Sequence, residues 1–195
     1  IGVRLTHWIR FVAITLLVVS GYYISYVFMS PEITSEPTNF MQAKWRLAHQ
    51  VAGFVLIAVF IFKFYLFVFD KHSKKEWMSV LDFLSPKVWI AQIKYYIFMG
   101  PHPHLRGVYN PLQFASYFFF YVILALICLT GLVLYAHVYH NGLGGAIYEP
   151  ARYFEELMGG LANVRTIHRI CMWIIMIFVP MHVYMAIFNA VKGKN

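Results

Sequence analysis

An all-α integral membrane protein built as a four-helix bundle is the fold this sequence predicts, and three observations predict it. Four apolar runs are long enough to cross a bilayer, charge is sparse, and the basic residues gather on one side of those runs. Of the 195 residues, 61% are hydrophobic, 19% aromatic and 12% charged, with a mean hydropathy of +0.63. A soluble domain with so few charges struggles to cover its surface. The net charge of +8 raises the question of a nucleic-acid partner. The Lys and Arg residues are scattered between apolar runs without a binding motif, which argues against one. Cys128 and Cys171 lie inside apolar runs and read as small buried hydrophobes. The sequence opens at Ile1 instead of Met, so residues upstream of it are expected.

A membrane span needs roughly 20 mostly apolar residues. The runs 7–29, 44–69, 112–138 and 162–191 qualify. Between them, 30–43 and 139–161 carry the Pro, Gly, Ser and Glu of turns and water-exposed loops. With no internal repeat, residues 1–195 are expected to form a single transmembrane domain. Orientation follows from Lys and Arg, which favour the cytoplasmic side. Eleven lie toward the termini and the 70–111 connection: Arg4, Arg10, Lys63, Lys71, Lys74, Lys75, Lys87, Lys94, Arg106, Lys192 and Lys194. Only five lie opposite, Lys44, Arg46, Arg152, Arg165 and Arg169, so both termini are expected in the cytoplasm. The 70–111 connection interleaves Trp77, Trp89, Tyr95 and Tyr96 with lysines, as a helix lying in the membrane interface does. In 139–161, Gly144, Gly145, Gly159 and Gly160 flank a stretch expected to hold a short helix. That loop reads equally as a docking surface and as an ordinary solvated connection.

Four histidines stand in or at the rims of these runs: His7, His49, His168 and His182. An ionisable side chain in hydrocarbon is costly and normally functional, with a partner. His49 and His168 each lie five or six residues inside the outer end of their helix, about 8–9 Å at the helical rise. His182 is about 21 Å deeper than His168 along the same helix, at the level of His7. Fourteen residues are nearly four helical turns, so one face of the last helix presents both His168 and His182. Two pairs of imidazoles at two depths suit two stacked haems, with axial pairs His49/His168 and His7/His182. A proton relay in a transporter is the competing reading of the same four residues. Zinc is disfavoured, since no cysteine or carboxylate joins either pair.

The same 14-residue step leads from His7 to Gly21, which would give a macrocycle room, and from His49 to Lys63. Lys63 is expected either to reach a haem propionate or to snorkel to water. Arg4 and Arg10 lie three residues either side of His7, Arg46 three before His49, and Arg165 three before His168. That spacing puts a guanidinium on the ligand's face, suited to propionates, although ordinary interfacial anchoring is the stronger account of any single one of them. Gly53 and Arg169 complete the candidate cofactor-binding residues. His72, His137 and His140 read as interfacial, and His102 and His104 lie in Gly-Pro-His-Pro-His on the cytoplasmic side. Pro180, two residues before His182, is expected to kink the helix and aim that histidine.

An ordered set of motifs then carries a resemblance. Arg4-Leu5-Thr6-His7-Trp8, Arg46-Leu47-Ala48-His49, Tyr109-Asn110-Pro111-Leu112-Gln113, Thr130-Gly131, Arg165-x-x-His168-Arg169 and His182-Val183-Tyr184-Met185 resemble the b-type cytochrome subunit of membrane-bound nickel–iron hydrogenases. The resemblance runs over nearly the whole chain. It departs at Lys63, where relatives often have Arg, and at Tyr109, where many have His. It implies a multi-pass protein of the bacterial inner membrane that takes electrons from a periplasmic hydrogenase, through its iron–sulfur small subunit and nickel–iron large subunit. Two b haems would pass those electrons to menaquinone or ubiquinone near the cytoplasmic side. On this reading the chain is the quinone-reducing, electron-transfer subunit of a hydrogen:quinone oxidoreductase, open to higher oligomers of the complex, and is not the hydrogen-activating subunit. Quinone-site candidates are Tyr184, Met185, Asn110, His104 and His102. An anchor of formate dehydrogenase or thiosulfate reductase is the near alternative, and a haem-free proton-coupled transporter the distant one.

Overall fold

The computed structural model describes residues 2–26, 41–70, 74–97, 99–101, 104–107 and 109–192. His72, His102, Lys71 and Lys194 lie outside the described residues, as do the side chains of Lys74, Lys75, Trp77, Tyr96, Met185 and Lys192. Every regular element among the described residues is helical: α1 (Gly2–Ser25), α2 (Met41–Phe69), α3 (Lys74–Phe83), α4 (Pro86–Tyr96), α5 (Pro111–Val138), α6 (Leu143–Ala146), α7 (Tyr148–Leu157) and α8 (Leu161–Lys192). Four of them, α1, α2, α5 and α8, are long and apolar enough to cross a membrane. Helix α1 starts at Gly2, ahead of the apolar run at 7, and α2 starts at Met41, ahead of 44. A helix need not stop where hydrocarbon stops, because its backbone bonds are satisfied within the segment on either side of that boundary. Residues 27–29, the expected end of the first span, are not among those described.

The chain forms two compact units, Ile1–Phe60 with Ile123–Asn195, and Ile61–Val122. In the first, buried Ala13, Ile14, Ala52, Leu56, Leu124, Cys171, Met172 and Ile175 form the interior, while Leu16, Val51, Ile177 and Met181 are exposed. Large apolar side chains turned outward are what a lipid-facing surface requires. Tyr23 stacks on Trp45 at 4.8 Å, and the Phe54 and Tyr135 rings meet edge to face at 5.1 Å. Beyond α5, Ala151 of α7 packs with Val133, Ala136 and Val164, flanked by Ile147, Phe154 and Met158. The expected short helix in 139–161 is therefore α7, preceded by the single turn of α6.

Glycine forms the joint between α7 and α8. Gly159 has φ +85° and Gly160 φ +97°. The Gly160 N–H donates to the Glu155 carbonyl at 2.8 Å and the Gly159 N–H to that of Glu156 at 3.0 Å, a Schellman closure. The Gly160 carbonyl then accepts the Val164 N–H and opens α8. Gly159 is also close-set, since a Cβ there would lie 2.6 Å from the Asn163 amide nitrogen.

In the second unit, the amphipathic connection folds into two helices, α3 and α4, broken at Ser85-Pro86. Pro86 occupies the first turn of α4, where its missing N–H costs nothing. Buried Asp82 gathers the chain that follows α4: its Oδ2 accepts the N–H groups of Arg106 at 2.7 Å and Gly107 at 2.9 Å. Ser79 Oγ accepts the Tyr109 N–H at 3.2 Å, and only glycine fits at 107, because a Cβ would overlap the Ser79 backbone. Asn110 then starts α5 with a capping box. Its Oδ1 accepts the Gln113 N–H at 2.8 Å, while Gln113 Oε1 accepts the Asn110 N–H at 3.3 Å.

Candidate functional site

Three helices, α1, α2 and α8, bring the four histidines into the two pairs expected from depth. The ring centroids of His49 (α2) and His168 (α8) are 6.3 Å apart, with planes at 67°. Those of His7 (α1) and His182 (α8) are also 6.3 Å apart, with planes at 53°. Helix α8 contributes one member to each pair, as four turns between positions 168 and 182 dictate.

The His49–His168 pair borders a cavity of about 430 Å³ enclosed by α1, α2, α5 and α8. Its walls are mostly aliphatic, with Gly21, Gly53 and Gly131 among them and Arg165 and Arg169 at its margin. Two of the glycines lie beside histidine rings, one tightly and one at ordinary contact distance. A Cβ on Gly21 would lie 3.1 Å from His49 Cε1, and one on Gly131 would lie 3.5 Å from His168 Cε1. Each ring is also held from its Nδ1 side. Ser20 Oγ lies 2.9 Å from His49 Nδ1, and Thr130 Oγ1 lies 2.9 Å from His168 Nδ1. The two Nε2 atoms carry no part in those contacts.

At the second pair, Phe178 stacks on His182 at 5.9 Å, nearly parallel at 13°. Trp8 sets its edge to His7 at 6.0 Å. Pro180 lies within α8 between Phe178 and His182, and removes the N–H that the Met176 carbonyl would otherwise accept.

The remaining sequence candidates divide. Gly21, Gly53, Arg165 and Arg169 line the cavity, and the Arg169 guanidinium stands 5.9 Å from the Tyr26 ring centroid. Arg4 and Arg46 are exposed and Arg10 is half-buried, each one turn from its histidine. Lys63 pairs with Glu76 instead of standing free for an anion: its Nζ is 3.3 Å from both carboxylate oxygens. Among the quinone-site candidates, Tyr184 is 65% exposed on α8 and His104 is exposed in the second unit. Asn110 uses its side chain as the α5 cap. His102 and the Met185 side chain lie outside the described residues. His137 lies 3.8 Å from Glu155, which Arg152 also holds at 3.0 Å, and His140 meets Tyr148 edge to face.

Tyr109 stands out in the second unit. Burial first, then the Glu76 carboxylate and the neighbouring Tyr117 and Tyr121, push its phenol up to about 12. Ser20 was not among the sequence candidates. The signal lay beside one that was, because Ser20-Gly21 on α1 repeats the hydroxyl–glycine pattern of Thr130-Gly131 on α5.

Comparison with known proteins adds the family. A family model described as prokaryotic cytochrome b561 matches residues 1–195. The chain is 30% identical over 200 residues to a "Probable Ni/Fe-hydrogenase B-type cytochrome subunit" of Cupriavidus necator, covering 99% of this chain and 79% of that protein. A protein of the same description from Rhodobacter capsulatus is 31% identical over 99% of this chain and 74% of its own. In Escherichia coli (strain K12), a "Probable Ni/Fe-hydrogenase 1 B-type cytochrome subunit" is 31% identical over 95% of this chain and 79% of its own.

Proposed function

The chain belongs to the prokaryotic cytochrome b561 family, and from that premise we propose that it carries electrons from an external nickel–iron hydrogenase, through two b haems, to a membrane quinone. The observation that carries this reading is the pair of 6.3 Å histidine separations. With metal–imidazole bonds of about 2.0–2.1 Å and an imidazole radius of about 1.1 Å, two rings on opposite sides of one ion have centroids about 6.3 Å apart. Both separations match that figure.

The donor sets fit haem better than a bare ion. Among the described residues, no group of three or more His, Cys, Asp and Glu is placed to hold a metal. Two imidazoles alone are too few for a structural zinc, which takes four protein ligands. They suit an iron whose equatorial ligands come with its own macrocycle. Bound haem would supply one-electron carriage. His49 with His168, and His7 with His182, would hold the two groups. Arg165 and Arg169 would meet propionates at the cavity margin, since a guanidinium suits a carboxylate and desolvates more readily than an ammonium.

The partner is proposed from the relatives, whose descriptions name a nickel–iron hydrogenase. The surplus of Lys and Arg toward the termini supports a cytoplasmic position for both ends. On that orientation the His49–His168 haem is the outer one, nearer α7 and the hydrogenase, and the His7–His182 haem is the inner one. Quinone reduction needs protons as well as electrons. Reduction near the inner haem would draw them from the cytoplasm, with Tyr184 of α8 close to His182 in sequence and exposed for a membrane-dissolved quinone.

Haem stoichiometry by pyridine haemochrome on the detergent-purified complex tests the assignment. Wild type should hold two b haems, falling to one in His49→Ala and to one in His182→Ala, with hydrogenase subunits copurifying. A folded wild-type complex without haem would overturn it.

A further inference from the structure

The hydroxyls beside His49 and His168 do more than satisfy their own helices. We propose that Ser20 and Thr130 are positioning residues that fix both imidazoles in the tautomer protonated at Nδ1, leaving each Nε2 lone pair free for iron. This rests on the reading of His49 and His168 as haem ligands.

The argument turns on the single proton of a hydroxyl. Ser20 Oγ is 2.6 Å from the Leu16 carbonyl and 3.3 Å from that of Leu17. Thr130 Oγ1 is 2.9 Å from the Leu126 carbonyl and 3.0 Å from that of Ile127. Both residues are buried, at 2% and 0% exposure. A carbonyl only accepts, so each hydroxyl gives its proton to its own helix, one turn back. It then has only lone pairs to offer the nitrogen 2.9 Å away, and that nitrogen must donate. Nδ1 of each ring thus faces a hydroxyl lone pair. The opposite tautomer would require each hydroxyl to turn its proton from its own helix to Nδ1, and would block Nε2 with a proton.

Convergence makes the arrangement more than a local accident. Back-bonding by Ser or Thr within an apolar helix needs no partner. Here two helices, α1 and α5, each present such a hydroxyl to a histidine from a third or fourth helix. Each hydroxyl is followed by a glycine whose missing Cβ leaves space at that histidine's Cε1. The dipeptide is a socket: the hydroxyl sets the ring's proton and direction, and the glycine beside it leaves the ring space, closely needed at Gly21 and with margin at Gly131.

A ligand imidazole that donates from its far nitrogen is a stronger base toward the metal, and loss of such a partner typically weakens metal binding about 10–100-fold. The test uses the purified complex with Ser20→Ala, Ser20→Thr, Thr130→Val and Thr130→Ser. Redox titration with optical detection, low-temperature EPR, and haem loss to an apoprotein scavenger are read on the haem component that disappears in His49→Ala. Expected in Ser20→Ala and Thr130→Val are a higher midpoint potential for that component, an altered low-spin EPR signal, and release faster by about tenfold. The other haem should be unaffected, and Ser20→Thr and Thr130→Ser should restore all three readouts. Wild-type potential, EPR and release in Ser20→Ala and Thr130→Val would overturn the proposal. So would equal disturbance in the hydroxyl-keeping variants, which would assign the effect to packing. A wild-type complex without haem would remove the ligand reading and this inference with it, and is recognised before any variant is made.

Discussion

Gly21 and Gly131 face equivalent atoms of the two cavity histidines, yet their margins differ, and that difference predicts unequal tolerance. A methyl at Gly21 would stand 3.1 Å from His49 Cε1, whereas one at Gly131 would make an ordinary 3.5 Å contact. Overpacking of this kind costs about 1–3 kcal/mol when the neighbour cannot yield. Gly21→Ala should therefore lower retention of one haem and shift its α-band, and Gly131→Ala should stay near wild type. Haemochrome content with low-temperature difference spectra measures both, and the reverse order would contradict the geometry. Tyr109 gives a prediction in pH. A phenol held up at about 12 keeps its proton across the working range of the protein. An acid whose folded value lies above its unfolded value near 10 favours folding below that unfolded value, and the contribution fades as pH rises toward 12. Tyr109→Phe should thus leave the midpoints of the quinone-reduction pH profile unmoved between about pH 6 and about pH 9, whereas stability above about pH 10 should fall less in the variant than in wild type. A displaced midpoint near neutrality would make Tyr109 a titrating proton donor after all. The histidine pairing was legible because helical rise and period are fixed numbers, so sequence separation converts to depth and facing. Ser20 and Lys63 were not legible. A serine in an apolar helix ordinarily bonds its own carbonyl, and its second partner depends on how closely α2 approaches. Lys63 of α2 meets Glu76 of α3, a pairing between elements that no periodicity records.

Among the elements, α3 and the segment after α4 depend on one carboxylate. Asp82 is 2% exposed and accepts two backbone N–H groups. Hydrogen bonds to a charged partner contribute about 1.5–3 kcal/mol each, and removing the acceptor leaves buried donors unmatched. Asp82→Ala should destabilise the second unit by about 2–4 kcal/mol and expose residues 104–107 to protease. Mass mapping of the first cleavage sites would show it; cleavage elsewhere, with the segment still protected, would mean that other contacts hold it. Pro180 predicts an effect confined to one end of α8. Pro180→Ala restores the missing N–H, so the haem assigned to His7 and His182 should change its spectrum while the other does not. The elements themselves were largely readable: four spans, an amphipathic connection and a glycine-bounded helix. Their ends were less so, because hydropathy marks the lipid boundary and not the cap. The α5 start is the exception, since Asn110-Pro111-Leu112-Gln113 states a capping box outright.

At the scale of the molecule, apolar residues serve two surfaces. In the first unit small and aliphatic side chains fill the interior and large ones turn toward lipid, so composition alone could announce a membrane protein but not its inside. What separated the two was the placing of polar groups: histidines, buried hydroxyls and the Arg residues at the cavity margin. The family model matches the entire chain. Helix α8, the fourth of the four spans, adds a condition of a different kind. Neither histidine pair has both members until it is in place, because His168 completes one and His182 the other. During synthesis the first three spans can enter the bilayer one after another, and each can hold its own helix, without forming a ligand pair of the kind described. On the proposed haem reading, cofactor loading would wait for the last span, and a ribosome stalled anywhere before it would leave a product that is inserted, helical and colourless.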